Sequence, residues 1–171
     1  MTRRGLPTLF ALLLALATMT AQAAGLEPYD GPKLPDFALA DLDGNEHRLS
    51  EYQGQVVLVN FWATWCPPCV EELPSMQHLY DEFEDEPFTI LAVDMDEEVE
   101  SVRAFLDKLE TEVTFPILID EGGRIMGAWN IAAFPTSFVI GPDGMIEYAL
   151  YGGLEWDRPE VVEKIEGLLP E

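Results

Sequence analysis

Cysteine is almost absent from this 171-residue chain, which has two, Cys66 and Cys69. Histidine is as scarce (His47 and His78), and the only lysines are Lys33, Lys108 and Lys164. Each scarcity excludes something. One cysteine pair cannot build the multi-bridge framework that staples small secreted domains. A structural zinc site needs four ligands, and neither histidine stands at zinc-finger spacing from the cysteines. Nine basic residues against 32 acidic ones give a formal net charge of −23, a surface that repels nucleic acid and anionic lipid. There is no internal repeat and no low-complexity tract.

The N-terminal apolar run, Leu6 to Ala17, is short for a membrane span of ~20 residues. It follows Arg3-Arg4 and precedes Ala21-Gln22-Ala23, the layout of a signal peptide over residues 1–23. An uncleaved anchor is the alternative, and Thr2-Arg3-Arg4-Gly5-Leu6 is a weak twin-arginine match. The leader holds no cysteine, which excludes a lipoprotein anchor. Export would place the cysteine pair in a periplasmic or other extracytoplasmic compartment. The remaining 148 residues suffice for one domain with a full core and carry 32 acids against 7 bases, net −25. Acids cluster at residues 81–86 and 94–98. A solvated surface accounts for them; adaptation to high salt or steering toward a basic partner are the two functional alternatives. The first requires stability that rises with sodium chloride, the second association rates that fall with it.

The informative stretch is Trp65-Cys66-Pro67-Pro68-Cys69. It follows a continuous apolar run, Val56 to Trp62, that reads as a buried strand. A strand feeding a helix that begins at a Cys-x-x-Cys pair is a thiol–disulfide exchange pattern, because the helix N-terminus stabilises the thiolate that attacks a disulfide. An inert disulfide here would be a poor staple, since the loop it closes is too short to constrain the unfolded chain.

Residues 24–36 are rich in proline and glycine and read as an extended tether, followed by one domain over 37–171. Phe37-Ala38-Leu39 and His47-Arg48-Leu49 flank Asp43-Gly44, a hairpin signal. Ser50 is placed to cap a short turn before Gly54. A helix is expected from Pro67 to Phe83, kinked at Pro74. Strands at 88–93, 117–119 and 136–140 alternate with helices at 98–109 and 124–130, with Met126 and Trp129 in the core. A hairpin strand at 146–151 and a last helix from Pro159 close the chain. The alternation predicts an α/β sandwich with a mixed central sheet.

Asn60-Phe61-Trp62-Ala63-Thr64-Trp65-Cys66-Pro67-Pro68-Cys69 with Glu72-Leu73-Pro74, together with Phe134-Pro135-Thr136, resembles the exported thioredoxin-like proteins of the TlpA/ResA type over roughly residues 34–169. The resemblance implies a three-layer thioredoxin-like sandwich with an N-terminal β-hairpin addition around Asp41-Leu42-Asp43-Gly44. It implies Cys66 as nucleophile, Cys69 as resolving thiol and a cis Pro135 beside them. Trp65, Pro67, Pro68, Phe134, Pro135 and Thr136 would face the client, with the Phe134 backbone pairing to an extended segment. Glu72, three residues after Cys69, matches a glutamate of the ResA-like branch and would exchange a proton with the thiol; the plainer reading is a surface glutamate beside Glu71. No cofactor beyond the redox-active disulfide is implied, and the chain is expected to be monomeric. By resemblance the protein is a reductant recharged by a membrane thiol carrier of the DsbD/CcdA kind. Its clients would be apocytochrome c with a Cys-x-x-Cys-His haem site or a copper-site protein of cytochrome oxidase.

Two departures stand out. Asn60 occupies a strand position where cytosolic thioredoxins carry an aspartate proton relay, and an amide cannot exchange a proton at neutral pH. Thr136-Ser137 follow Pro135 where cytochrome c maturation branches often show a glutamate, which weakens a haem-ligation assignment. The competing functions are a disulfide-forming oxidant on the same residues, and a Cu(I) carrier in which the two thiolates join Met95, Met126 or His78. A peroxidase is disfavoured, because Thr64 stands two residues before Cys66 rather than three.

Overall fold

The computed structural model describes residues 25–170. The expected signal peptide lies outside the described residues. Among those described, no helix is long and apolar enough to cross a membrane.

Eight strands and four α-helices follow in the order β1 (Glu27–Pro28), β2 (Ala38–Ala40), β3 (Glu46–Arg48), β4 (Val56–Trp62), α1 (Pro67–Glu82), β5 (Phe88–Asp94), α2 (Val99–Leu106), β6 (Ile117–Ile119), α3 (Arg124–Ala128), β7 (Thr136–Ile140), β8 (Ile146–Tyr151) and α4 (Pro159–Glu166). A six-stranded sheet runs β1-β8-β7-β4-β5-β6. β4 pairs parallel with β5, and β5 with β6, while β7 lies antiparallel between β4 and β8. All seven residues of β4, and all seven of β5, are buried, as expected of central strands covered on both faces.

Two apolar clusters fill the layers on either side. One joins Leu58, Trp62 and Ile90 to Leu73 and Met76 of α1 and Ile165 of α4. The other joins Val59, Phe61 and Leu91 to Phe37, Phe138 and Trp129. This is the expected mixed α/β sandwich. β2 and β3 form a separate hairpin that leans on the β6 edge, where Asp41 bridges to Leu118 and the Leu42 amide donates to the Ile117 carbonyl at 3.2 Å. An exposed strand edge is thereby covered.

Several local expectations change. The segment read as a tether is docked: Leu26 is buried, Glu27–Pro28 pair with β8, Tyr29 packs edge-on against Phe138 at 5.8 Å, and the Trp129 indole donates to the Pro35 carbonyl at 2.9 Å. Composition suggested a free linker; two apolar side chains and one indole bond are enough to hold it. The Ser50 hydroxyl does not cap its own turn but donates to Asp36 at 2.8 Å. Helix α1 runs through Pro74 as one helix, as expected. Just past that proline, more than two turns into α1, the Ser75 hydroxyl donates to the Glu72 carbonyl at 2.8 Å and accepts the Trp156 amide at 3.0 Å.

Candidate active site

Strand β4 ends at Trp62 and delivers the chain into a tight turn closed by the Cys66 amide on the Ala63 carbonyl at 3.2 Å. Cys66 is the N-cap of α1, and its carbonyl accepts the Cys69 and Val70 amides, both at 3.1 Å. Pro67 and Pro68 occupy the first turn, where a missing N–H costs nothing. Cys66 and Cys69 are joined as a disulfide, with Cα atoms 5.3 Å apart. Cys69 is fully buried and Cys66 is 5% exposed, so Cys66 is the residue of the pair nearer the surface. The preceding Trp65 is 64% exposed and packs its ring edge-on against Phe134 at 5.8 Å. It stands beside the disulfide as an aromatic wall.

Phe134 leads into a cis peptide bond at Pro135, and β7 starts at the next residue. The Pro135 carbonyl accepts the Gly152 amide at 2.9 Å. Thr136 is buried, pairs with Phe61 across the sheet and donates its hydroxyl to the Ala133 carbonyl at 2.8 Å. It therefore shapes the Pro135 turn, and its side chain does not face outward.

Glu72 is not a surface glutamate. It is 3% exposed and lies one helical turn past Cys69, a spacing that puts two side chains on one face. One carboxylate oxygen accepts the Asn60 amide at 2.8 Å; the other accepts the Leu154 backbone amide and the Trp156 indole, each at 3.1 Å. Burial pushes its pKa up from 4.5 to about 7, and the three donors are what keep it from rising further. A cleft of about 300 Å³ lined by Pro68, Glu71, Glu72, Gly153, Leu154 and Arg158 connects this carboxyl to the surface. Asn60 also donates to Ser137 at 3.0 Å, so the amide that replaces a relay carboxylate ties Glu72 to β7.

Trp156 and Leu154 were missed by sequence reasoning, and Ser137 was noted only as a departure after Pro135. The one local signal for Leu154 and Trp156 is the Gly152-Gly153 pair before them; a Cβ on Gly153 would stand 3.4 Å from the Pro68 carbonyl. The Met and His ligands of the Cu(I) alternative lie elsewhere. Met95 and Met126 belong to the apolar layer opposite the cysteines, and His78 pairs with Asp157 at 2.9 Å on the exposed side of α1. Among the described residues no group of three or more His, Cys, Asp or Glu is arranged to hold a metal.

Residues 31–149 match the AhpC/TSA family. The chain belongs to that family. Within it, the chain is 38% identical over 140 residues to the thiol-disulfide oxidoreductase ResA of Geobacillus kaustophilus, covering 82% of this chain and 78% of that one. Among solved structures it is similar to StoA from Bacillus subtilis (TM-score 0.64, 28% identity, 80% of this chain and 98% of that one). It is also similar to a thiol:disulfide interchange protein of the thioredoxin family from Chlorobium tepidum TLS (TM-score 0.68, 26% identity, 83% and 99%). The protein is a ResA-type thiol–disulfide oxidoreductase with a thioredoxin-like fold, and Cys66–Cys69 fits its redox pair.

Proposed function

We propose that this protein works outside the cytoplasm as a reductant of client disulfides, with Cys66 as nucleophile, Cys69 as resolving thiol and Glu72 as the base that serves Cys69. The observation that supports this most is the buried Glu72 carboxyl one turn past a fully buried Cys69.

The reaction runs in two exchanges. In the reduced protein the Cys66 thiolate, stabilised at the start of α1, attacks one sulfur of a client disulfide. A mixed disulfide forms and the other client sulfur leaves as a thiolate. Glu72, as carboxylate, then takes the Cys69 proton. The Cys69 thiolate attacks Cys66, the Cys66–Cys69 bond closes, and the first client sulfur leaves reduced. Two electrons pass to the client, and the proton on Glu72 exits through the adjacent cleft. Trp65, Pro67, Pro68 and the Phe134–Pro135–Thr136 turn border the approach to Cys66, and the Phe134 backbone is offered to an extended client segment.

By family likeness, the electrons come from a membrane thiol carrier of the DsbD/CcdA kind, and the clients are apocytochrome c or a copper-site protein. The leader at residues 1–23 supports an extracytoplasmic address. The test is trapping: Cys69→Ser exported in cells should accumulate a mixed disulfide through Cys66, and mass spectrometry of the adduct names the client. Cys66→Ser that still turns over a disulfide substrate would reject the assignment.

A further inference from the structure

Behind the Cys66 turn lies a second carboxyl pair, buried at Asp94 and half-buried at Glu97, that the exchange steps do not use. Glu97 follows β5, and its carboxylate accepts both the Thr64 amide and the Thr64 hydroxyl at 2.7 Å. These bonds seize the turn two residues before Cys66. Asp94, the last residue of β5, is fully buried; one oxygen accepts the Glu97 amide at 3.2 Å and the other has no hydrogen-bond partner.

We propose that Glu97, with its backbone held by Asp94, clamps the Trp65–Cys66 turn and keeps the Cys66 sulfur aligned with the start of α1. The proposal rests on Cys66 being the nucleophile. Asp94 accepts the Glu97 amide at 3.2 Å and so fixes the backbone of Glu97, whose carboxylate accepts two short bonds from Thr64. Asp94 sits deeper, and burial raises its pKa to about 8, with the Glu97 charge adding to the shift. The charged groups acting on Asp94 are Glu97 and Asp96 on its own turn. Just past β6, the Asp120 amide meets the Asp94 carbonyl at 3.0 Å, and Asp120 turns its carboxylate to the α3 amides. On β4 the residue paired with Asp94 is Trp62, which carries no charge.

Both residues are positioning residues. Loosening the turn swings Cys66 away from the helix-terminal amides and destabilises its thiolate, so the thiol pKa rises. Removing the Glu97 charge alone would lower it. The sign therefore separates positioning from simple electrostatics.

The experiment is the pH profile of Cys66 alkylation by iodoacetamide in the full chain carrying Cys69→Ser. Glu97→Ala should move the midpoint upward and slow alkylation at neutral pH by about tenfold. Glu97→Gln, whose side-chain carbonyl still accepts from Thr64, should hold the midpoint at or below the parent value. Asp94→Asn, whose side-chain carbonyl still accepts the Glu97 amide, should match the parent, and Thr64→Ala should shift the midpoint up by less than Glu97→Ala. Thr64→Ala touches only the outer end of the clamp and serves if the Glu97 variant does not fold. An unchanged or lowered midpoint in folded Glu97→Ala, or an unchanged midpoint in Thr64→Ala, overturns the clamp. Failure of Cys66 to alkylate in the parent itself would instead reject the nucleophile assignment.

Discussion

Replacing Glu72 by glutamine should make this protein more stable and less active at alkaline pH. The folded protein holds the Glu72 pKa near about 7 against 4.5 in an exposed chain. A carboxyl whose folded pKa is raised binds its proton more tightly folded than unfolded. Its stabilising contribution is complete below pH 4.5 and is lost as pH climbs toward 7. The loss is about 3 kcal/mol, from roughly 1.4 kcal/mol per pKa unit. Glutamine resembles the protonated acid: it has one acceptor oxygen and turns polar hydrogens toward the Leu154 amide and Trp156 indole, or toward Asn60. Parent and Glu72→Gln should therefore unfold alike at acid pH. By about pH 8 the variant should lead by up to ~3 kcal/mol. Taking the difference cancels the other titrating groups, Asp94 among them. Urea unfolding of the oxidised proteins across this range measures it. In the same variant, resolution of the mixed disulfide should slow about a hundredfold at pH 8, the ordinary worth of a lost general base. A stability difference that stays flat with pH would refute the buried, proton-exchanging Glu72. A flat difference together with an unchanged resolution rate would return it to a merely structural glutamate.

Other outcomes follow from the same contacts. Asn60→Asp sets a second carboxyl against Glu72, where the amide now donates at 2.8 Å; two carboxylates then share one proton, and the acid limb of the rate profile, which rises as Glu72 loses its proton, should move to higher pH. Leu26→Ala should cost about 2–4 kcal/mol in urea unfolding, since that side chain is buried in the main cluster, whereas a free tether would leave stability unchanged. Trp65→Ala should leave the unfolding midpoint within about 0.5 kcal/mol while weakening client affinity, because the ring stands mostly in solvent beside the disulfide.

The layout of the domain was legible because its signals are local and strong. The apolar run at 56–62, the alternation after it and Asp43-Gly44 needed no tertiary information, and all became elements of the expected type. The cysteines were legible for the same reason. Glu72 was half legible: its spacing from Cys69 is written in the helix period, but its burial depends on Leu154 and Trp156 arriving from more than 80 residues away, and no local pattern encodes that return. Glu97 and Asp94 were hidden inside an acidic run that reads as solvated surface. A strand that ends in the core carries its last carboxylate inward, and composition cannot distinguish that one from its exposed neighbours. Leu26 and Tyr29 were masked by the prolines and glycines around them.

The most direct test is the equilibrium reduction potential of the Cys66–Cys69 pair, read by tryptophan fluorescence in defined thiol buffers. Carriers of this chemistry range from about −270 mV for thioredoxin to about −120 mV for the strong oxidant DsbA. A reductant recharged from the membrane predicts a value near the low end. A value near the high end would make the protein a disulfide donor and contradict the proposed direction of electron flow.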